Sequence, residues 1–312
     1  MDGARNDGSQ TFGMTRIFSA DKVVGGKAMN VLGVQVARTV VARLAYCARG
    51  VRPSSDIAPQ VAELQREGIL VWPDFLPRDR FEHVRADCAR LDASGCVERF
   101  THGPTTLDVV ELRKAPLADL PSIRAFYGDQ RLRAVFTAVE QRPLGALEEY
   151  GKREHILHGE PRAGMDPQSE LHSDIFFNTH KAWLYLHDVG VEDGPLAFVK
   201  RSHRLTPARL GFVYRDSWTR HAAEELSRRI TPEEQEALHA TETVVTCPAN
   251  TLVIVNTAGY HRRLPGRPGA TRDSLHLSVR TDPFAFHRWR ARLSGFPRLK
   301  AFLRAVKMAG RP

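Results

Sequence analysis

A histidine and an aspartate two residues apart, in the triplet His172-Ser173-Asp174, are the first candidates for chemistry in this chain. On a β-strand, side chains at positions i and i+2 point to the same face, so the two could share one metal ion if a third ligand came from elsewhere. The spacing alone is weak evidence, because a 312-residue chain with 13 His carries roughly 0.75 such triplets by chance. A second triplet, His158-Gly159-Glu160, arises just as easily.

Two later segments distinguish the first triplet from the second. Some twenty residues after it comes the turn Asp193-Gly194-Pro195-Leu196, followed by the run Arg201-Ser202-His203-Arg204. About ninety residues after it, an apolar strand leads to His261, and Arg272 follows eleven residues later at the start of another strand. The second triplet is followed only by a proline and a loop.

With these segments the sequence resembles the phytanoyl-CoA dioxygenase family of iron(II)- and 2-oxoglutarate-dependent oxygenases. The family's hallmarks are a His-x-Asp motif, a Gly-Pro-Leu turn with a Gly-Ser-His segment, a distal histidine, and an arginine about eleven residues after it. The segment Leu64–Leu76 also resembles the family's opening helix and strand, and the resemblance covers about residues 57–284. One position departs from the pattern, since Arg201 stands where the family usually has glycine.

The resemblance implies a fold that is α+β but mainly β: a double-stranded β-helix, or cupin-like jelly-roll, with packed helices. It implies that His172, Asp174 and His261 bind iron(II). It also implies that Arg272 binds the distal carboxylate of 2-oxoglutarate, which serves as co-substrate together with O₂.

The chemistry of these residue types agrees with that implication. Two imidazoles and one carboxylate leave three positions of an octahedral iron open, two for 2-oxoglutarate and one for O₂. A guanidinium suits the second carboxylate because its donors form a rigid fork. Arg267 and Arg280 are alternatives to Arg272, and Arg280 lies an even number of residues from Arg272 on the same predicted strand.

The expected activity is hydroxylation of an unactivated C–H bond in a small or lipid-like metabolite, with release of succinate and CO₂ and with ascorbate as an additive in vitro. Asp174, in place of an alanine or glycine, leaves no site for a halide and favours hydroxylation over halogenation. Two other interpretations stay open. One is a cupin-like isomerase or lyase that uses its metal as a Lewis acid, and the other is a non-catalytic scaffold that keeps the fold.

Three more side chains could line the pocket or belong to the core. Trp183 and Tyr185 lie on one face of a predicted strand, and His276 lies on the strand face of Arg272. Large aromatic residues in such positions are most often core residues.

Hydrophobic periodicity predicts several helices in the first half of the chain and dense strands in the second. The predicted helices span residues 28–48, 61–68, 77–91, 122–140 and 216–240. The predicted strands span residues 69–72, 107–112, 144–157 in part, 170–177, 181–187, 196–199, 242–246, 251–255 and 274–280. Short β-branched strands between Gly, Pro, Asn and Asp turns favour a barrel or sandwich, and the insertion at about 206–240 could be a lid or a surface elaboration.

The charge of the chain lies at its ends. The 45 Lys and Arg against 36 Asp and Glu give a net charge of +9. Lys22–Ser55 has six basic and no acidic residues, and eight basic residues but no acidic ones follow Asp282. The rest is net acidic, which argues against a nucleic-acid partner. The basic ends could lie peripherally on an anionic membrane or pack on the barrel with a solvated face.

These patterns predict three segments: a basic helical extension over residues 1–55, the oxygenase domain over 56–284 and a basic amphipathic tail over 285–312. The four cysteines form no CxxC pair, which favours a reducing compartment. The first twenty residues hold no apolar run, so the sequence predicts a cytoplasmic protein with a small-molecule substrate.

Overall fold

The computed structural model describes residues 27–160, 166–219 and 228–283. Contacts divide the chain into two compact units. The larger unit comprises Arg49–Arg204 and Arg228–Thr281. The smaller unit comprises Met1–Ala48, Leu205–Ser227 and Asp282–Pro312. The three segments predicted from the sequence stay a prediction, and the tail at 285–312 lies outside the described residues.

Eight α-helices are seen in the described ranges. They are α1 (Lys27–Val31), α2 (Val34–Cys47), α3 (Ala58–Glu67), α4 (Arg78–Asp92), α5 (Pro121–Tyr127), α6 (Gln130–Glu140), α7 (Pro207–Thr219) and α8 (Pro232–Ala237).

Twelve strands accompany them in the same ranges. They are β1 (Ile69–Trp72), β2 (Glu98–His102), β3 (Thr105–Glu111), β4 (Gly151–His158), β5 (His172–Ser173), β6 (His180–Tyr185), β7 (Leu196–Val199), β8 (Arg228–Arg229), β9 (Glu242–Val245), β10 (Leu252–Asn256), β11 (His261–Arg263) and β12 (Thr271–Val279).

The strands form two antiparallel sheets in the larger unit. The major sheet has the order β1-β10-β6-β12-β4-β3-β2, and the minor sheet has the order β8-β5-β11-β7-β9. The nine-residue strand β12 pairs with β4 on one side and β6 on the other. The last strand of the described residues is therefore a central strand of the sheet.

Successive side chains of the central strands point to opposite faces of the sheet, so the larger unit has two apolar layers. Leu184 of β6, Ile254 of β10 and Leu277 of β12 are buried with the apolar residues of α3–α6 in the main core. Tyr185 and Val253 lie on the opposite face, in a second cluster with Phe198 of the minor sheet. The side chains that follow the Tyr185 face thus point into the space between the sheets.

Local chemistry explains where the predicted helices break. The helix predicted over 28–48 is interrupted at Gly33, whose φ of 80° suits a residue without a Cβ. The helix predicted over 122–140 is two helices, because the Asp129 side chain accepts from the backbone N–H groups of Arg131 and Leu132 and begins α6 there.

The structure also differs from the sequence predictions in its strands and in the segment before β9. The strand predicted over 170–177 is confined to His172–Ser173, since the Asp174 backbone N–H leaves the ladder and donates to Thr257. The strands β2 and β11 carry no alternating pattern and were not expected. The helix predicted over 216–240 is not continuous, because β8 lies between α7 and α8. Residues 220–227 of this segment lie outside the described ranges.

Most of the side chains that the smaller unit buries along α1 and α2 are polar. Asn30 donates to the Ser217 carbonyl of α7, and Gln35 donates to Asn30. Leu32 and Leu44, within the helix predicted over 28–48, are 78% and 63% exposed. No helix in the described ranges is long and apolar enough to cross a membrane.

Candidate metal centre

The backbone of the minor sheet brings His172 and His261 together. His172 of β5 pairs directly with His261 of β11, and the ring centroids are 4.5 Å apart. Cross-strand partners on one face of an antiparallel pair are side-chain neighbours, so the pairing itself places the two imidazoles side by side.

Asp174 completes a cluster of three potential ligands. Its Oδ1 lies 3.6 Å from His172 Nε2 and 3.7 Å from His261 Nε2. One ligand atom from each residue lies within 4.8 Å of the others, and this is the one such cluster found in the described ranges. Both histidines are buried, and the Asp174 side chain is 15% exposed.

Hydrogen bonds fix which nitrogen of each ring faces the cluster. His172 Nδ1 lies 2.7 Å from the Glu170 carbonyl, and His261 Nδ1 lies 3.0 Å from the Gly259 carbonyl. A carbonyl oxygen only accepts, so both Nδ1 atoms carry a proton and both neutral rings turn the Nε2 lone pair toward Asp174.

This arrangement fits a metal ion better than it fits an empty polar cluster. Burial, followed by the charge of His261, lowers the pKa of His172 to about 4, and burial lowers the pKa of His261. His172 Nε2 is buried with no hydrogen-bond partner. Two lone pairs and a carboxylate oxygen thus converge with no proton between them, which a cation would satisfy.

Lys181 lies on the other side of the Asp174 carboxylate, with its Nζ 2.8 Å from Oδ2. Burial by itself raises the pKa of Asp174, but Lys181 and the two imidazoles outweigh it and hold the pKa well below its ordinary value. Lys181 belongs to no sequence motif. Its one signal in the sequence is its place two residues before Trp183, on the same face of the predicted strand.

Arg272 of β12 is buried inside the larger unit. The residue is 8% exposed, and its guanidinium donates to the Gly194 carbonyl and lies 6.0 Å from the Tyr185 ring centroid. No ion pair of Arg272 with a carboxylate is seen in the described ranges. Arg267 and Arg280 are both exposed, and Arg280 follows the end of β12.

The other predicted wall residues form a polar group beside the Tyr185 cluster. Trp183 stacks on His276 with ring centroids 5.2 Å apart, and its Nε1 donates to Glu154 over 3.3 Å. His276 Nδ1 lies 3.2 Å from Glu154, yet both ring nitrogens of His276 are buried without a hydrogen bond. Tyr185 is a core residue at 1% exposure. Glu154 was not singled out from the sequence.

The remaining motif residues support backbone turns. Arg201 takes the left-handed conformation at a φ of 66° and makes two 2.9 Å hydrogen bonds to the Glu67 carboxylate. His203 packs on Gly68, where a Cβ would lie 2.4 Å from its Nδ1. His158, of the second triplet, packs on the backbone of Gly194 and lies outside the metal cluster.

Solved structures with a similar fold identify the fold of this chain. No family model and no curated protein sequence matches the chain. A crystal structure of the epimerase SnoN in complex with Fe3+, alpha ketoglutarate and nogalamycin RO is similar, with a TM-score of 0.52 and 18% identity over 72% of this chain and 83% of that one. A second SnoN structure, described as a non-heme alpha ketoglutarate dependent epimerase from nogalamycin biosynthesis, has a TM-score of 0.50, 20% identity and coverage of 72% and 82%.

The chain shares the jelly-roll fold of the two SnoN structures. The jelly-roll predicted from the sequence is therefore confirmed, with the helices α3–α6 packed on the major sheet. At these identities the likeness shows the fold alone, and membership of the phytanoyl-CoA dioxygenase family stays a prediction.

Proposed function

We propose that this protein is an iron(II)- and 2-oxoglutarate-dependent oxygenase. The single observation that carries the proposal is the convergence of His172 Nε2, His261 Nε2 and Asp174 Oδ1 on one point. The set of two imidazoles and one carboxylate is the donor set of non-haem iron(II) oxygenases. The buried Arg272, without a carboxylate partner in the described ranges, supports 2-oxoglutarate as the co-substrate.

The residues of the site divide the work of binding. His172, His261 and Asp174 would hold the iron, and the neutral imidazoles offer lone pairs without first losing a proton. Arg272 would hold the distal carboxylate of 2-oxoglutarate, with its guanidinium oriented by the Gly194 carbonyl. When bound, iron(II) supplies the redox chemistry that couples decarboxylation of 2-oxoglutarate to oxidation of a C–H bond.

The walls of the site exclude water and supply polar contacts. Tyr185 and Phe198 belong to the apolar cluster between the sheets, which keeps bulk solvent from the reacting atoms. Glu154 and His276 provide a carboxylate and an imidazole on the major-sheet side. We propose a small-molecule substrate with an unactivated C–H bond, hydroxylated with release of succinate and CO₂. SnoN is described as an epimerase, so product analysis covers inverted stereocentres as well as added oxygen.

One assay tests the oxygenase against its two rivals. The protein is loaded with iron(II) under anaerobic conditions, mixed with 2-oxoglutarate, ascorbate and O₂, and monitored for succinate. We expect slow uncoupled succinate release from the wild type and none from Asp174→Ala. A metal-dependent isomerase or lyase would retain metal without consuming 2-oxoglutarate. A scaffold would retain no metal at all.

A peripheral membrane contact is a separate proposal that concerns the smaller unit. That unit holds 17 Lys and Arg against 7 Asp and Glu, so it accounts for the whole basic excess of the chain. Exposed Leu32 and Leu44 add apolar surface. We expect the chain to co-sediment with vesicles of anionic phospholipid and not with zwitterionic vesicles. Equal binding to both kinds would exclude an electrostatic contact.

A further inference from the structure

The two oxygens of the Asp174 carboxylate have different partners. Oδ1 faces the two imidazole nitrogens at 3.6 Å and 3.7 Å. Oδ2 lies 2.8 Å from the ammonium of Lys181. A carboxylate in this setting has one oxygen available to a metal ion and the other already engaged.

Lys181 is held in place by the centre of the major sheet. It lies on β6, paired with Val255 of β10 on one side and with Ser278 of β12 on the other. Its side chain is 27% exposed, and Asp174 is its ion-pair partner in the described ranges. A side chain on a central strand is a stable support for a ligand because its backbone is fixed on both edges.

We propose that Lys181 is a positioning residue that restricts Asp174 to coordination through one oxygen. The inference rests on the proposed function, since it concerns the metal that the three ligands would hold. A carboxylate can also bind a metal through both oxygens. Together with two imidazoles it would then fill four of six positions and leave too few for a two-oxygen keto acid and O₂. By holding Oδ2, Lys181 keeps the third position open.

The Lys181 ammonium lowers the affinity of the site for a metal ion. A positive charge beside a dication repels it, and the hydrogen bond to Oδ2 weakens the carboxylate as a donor. Both effects lower the affinity for metal. The placement of Lys181 thus favours open coordination positions over tight metal binding, as a site that must admit two further reactants requires.

The test uses Mn²⁺ alone as the probe, on the full-length protein and without any substrate. Titration calorimetry gives the affinity, and water-proton relaxation gives the number of water molecules on the bound ion. We expect Lys181→Met to bind Mn²⁺ about tenfold more tightly than the wild type, with one bound water fewer. Lys181→Arg keeps the charge and the donor and should stay within about threefold of the wild type.

Lys152→Met is the matched control. Lys152 lies on β4 and pairs with His276 of β12. The variant therefore removes a lysine that is close to the site but does not contact Asp174. It should leave both quantities unchanged. Lys181→Gln, which also removes the charge, replaces Lys181→Met if the latter does not fold, and the same increase in affinity is expected.

The outcomes separate the two proposals. Equal or weaker Mn²⁺ binding by a folded Lys181→Met, or an unchanged number of waters, overturns the role of Lys181 and leaves the oxygenase proposal intact. A folded wild type that binds neither Mn²⁺ nor Fe²⁺ overturns both.

Discussion

His172 and His261 face each other across the β5–β11 pair, with ring centroids 4.5 Å apart, although 89 residues separate them along the chain. Each Nδ1–H donates to a backbone carbonyl, so each ring has one orientation. We expect His261→Ala to reduce Fe²⁺ affinity by more than about a hundredfold while the protein still folds. Equilibrium dialysis of metal measures this, and His102→Ala, at an exposed edge strand, is the control.

The second prediction concerns Arg272 and the affinity for 2-oxoglutarate. Replacing it with lysine keeps the charge and loses the planar fork, so we expect the KM for 2-oxoglutarate to rise about tenfold, and more in Arg272→Ala. The succinate assay at varied 2-oxoglutarate gives the KM. Arg267→Ala removes an exposed guanidinium and should leave it unchanged. A rise in the KM for 2-oxoglutarate in the Arg267 variant, with none in the Arg272 variants, would show that Arg267 and not Arg272 binds the co-substrate.

Arg201 offers a test of backbone conformation. Its φ of 66° is unfavourable for a residue with a Cβ, and its ion pair with Glu67 compensates. Arg201→Ala and Arg201→Gly both lose the ion pair, but only glycine also removes the backbone cost. We expect the free energy of unfolding of the glycine variant to exceed that of the alanine variant by about 1 kcal/mol. Equal values in urea denaturation would contradict the backbone argument.

We expect His276 to lower the free energy of unfolding while it contributes to activity. Both of its ring nitrogens are buried without a hydrogen bond, so His276→Phe should raise the free energy of unfolding by about 1 kcal/mol and keep the stacking on Trp183. The same variant should release succinate more slowly once a substrate is found. A stabilised variant with full activity would show that His276 is a core residue only.

The His155–Asp273 pair predicts a pH dependence of stability on the outer side of β12. The hydrogen bond to Asp273, 2.8 Å long, raises the pKa of His155 above 6.5 in the folded protein. Its contribution is therefore fully present below pH 6.5 and is lost as the pH rises through the folded pKa.

Because the His155 side chain is 35% exposed, solvent screening limits this contribution to at most about 1 kcal/mol. We expect His155→Gln to lower the melting temperature at pH 5.5 and to leave it nearly unchanged at pH 8.5. Equal losses at both values would show that packing and not charge is responsible.

The sequence predicted most of the helices and the apolar strands because their signals are local. Gly68, for example, ends α3 in the left-handed conformation where glycine is favoured, and β7 has the predicted bounds. It did not predict β11, since the run of basic residues at His261–Arg263 becomes a strand only through its neighbours β5 and β7. The exposed edge strand β2 escaped for the same reason.

The candidate site shows the same division. The triplet and the distal histidine stood out as a motif, and the structure brings them together. Lys181 and Glu154 belong to no motif, and only the pairing of β6, β12 and β4 brings them to the inner face of the sheet. Side chains whose role depends on long-range pairing carry no signal that can be read locally.

The position of β12 also determines when the major sheet can be completed during synthesis. During synthesis β4 and β6 have no common partner until the last residues of the larger unit leave the ribosome, because β12 fills the gap between them. The same strand delivers Arg272. A nascent or truncated chain that ends before β12 thus lacks Arg272 and a central strand of its sheet together. Under the proposed function, such an incomplete chain would not turn over 2-oxoglutarate.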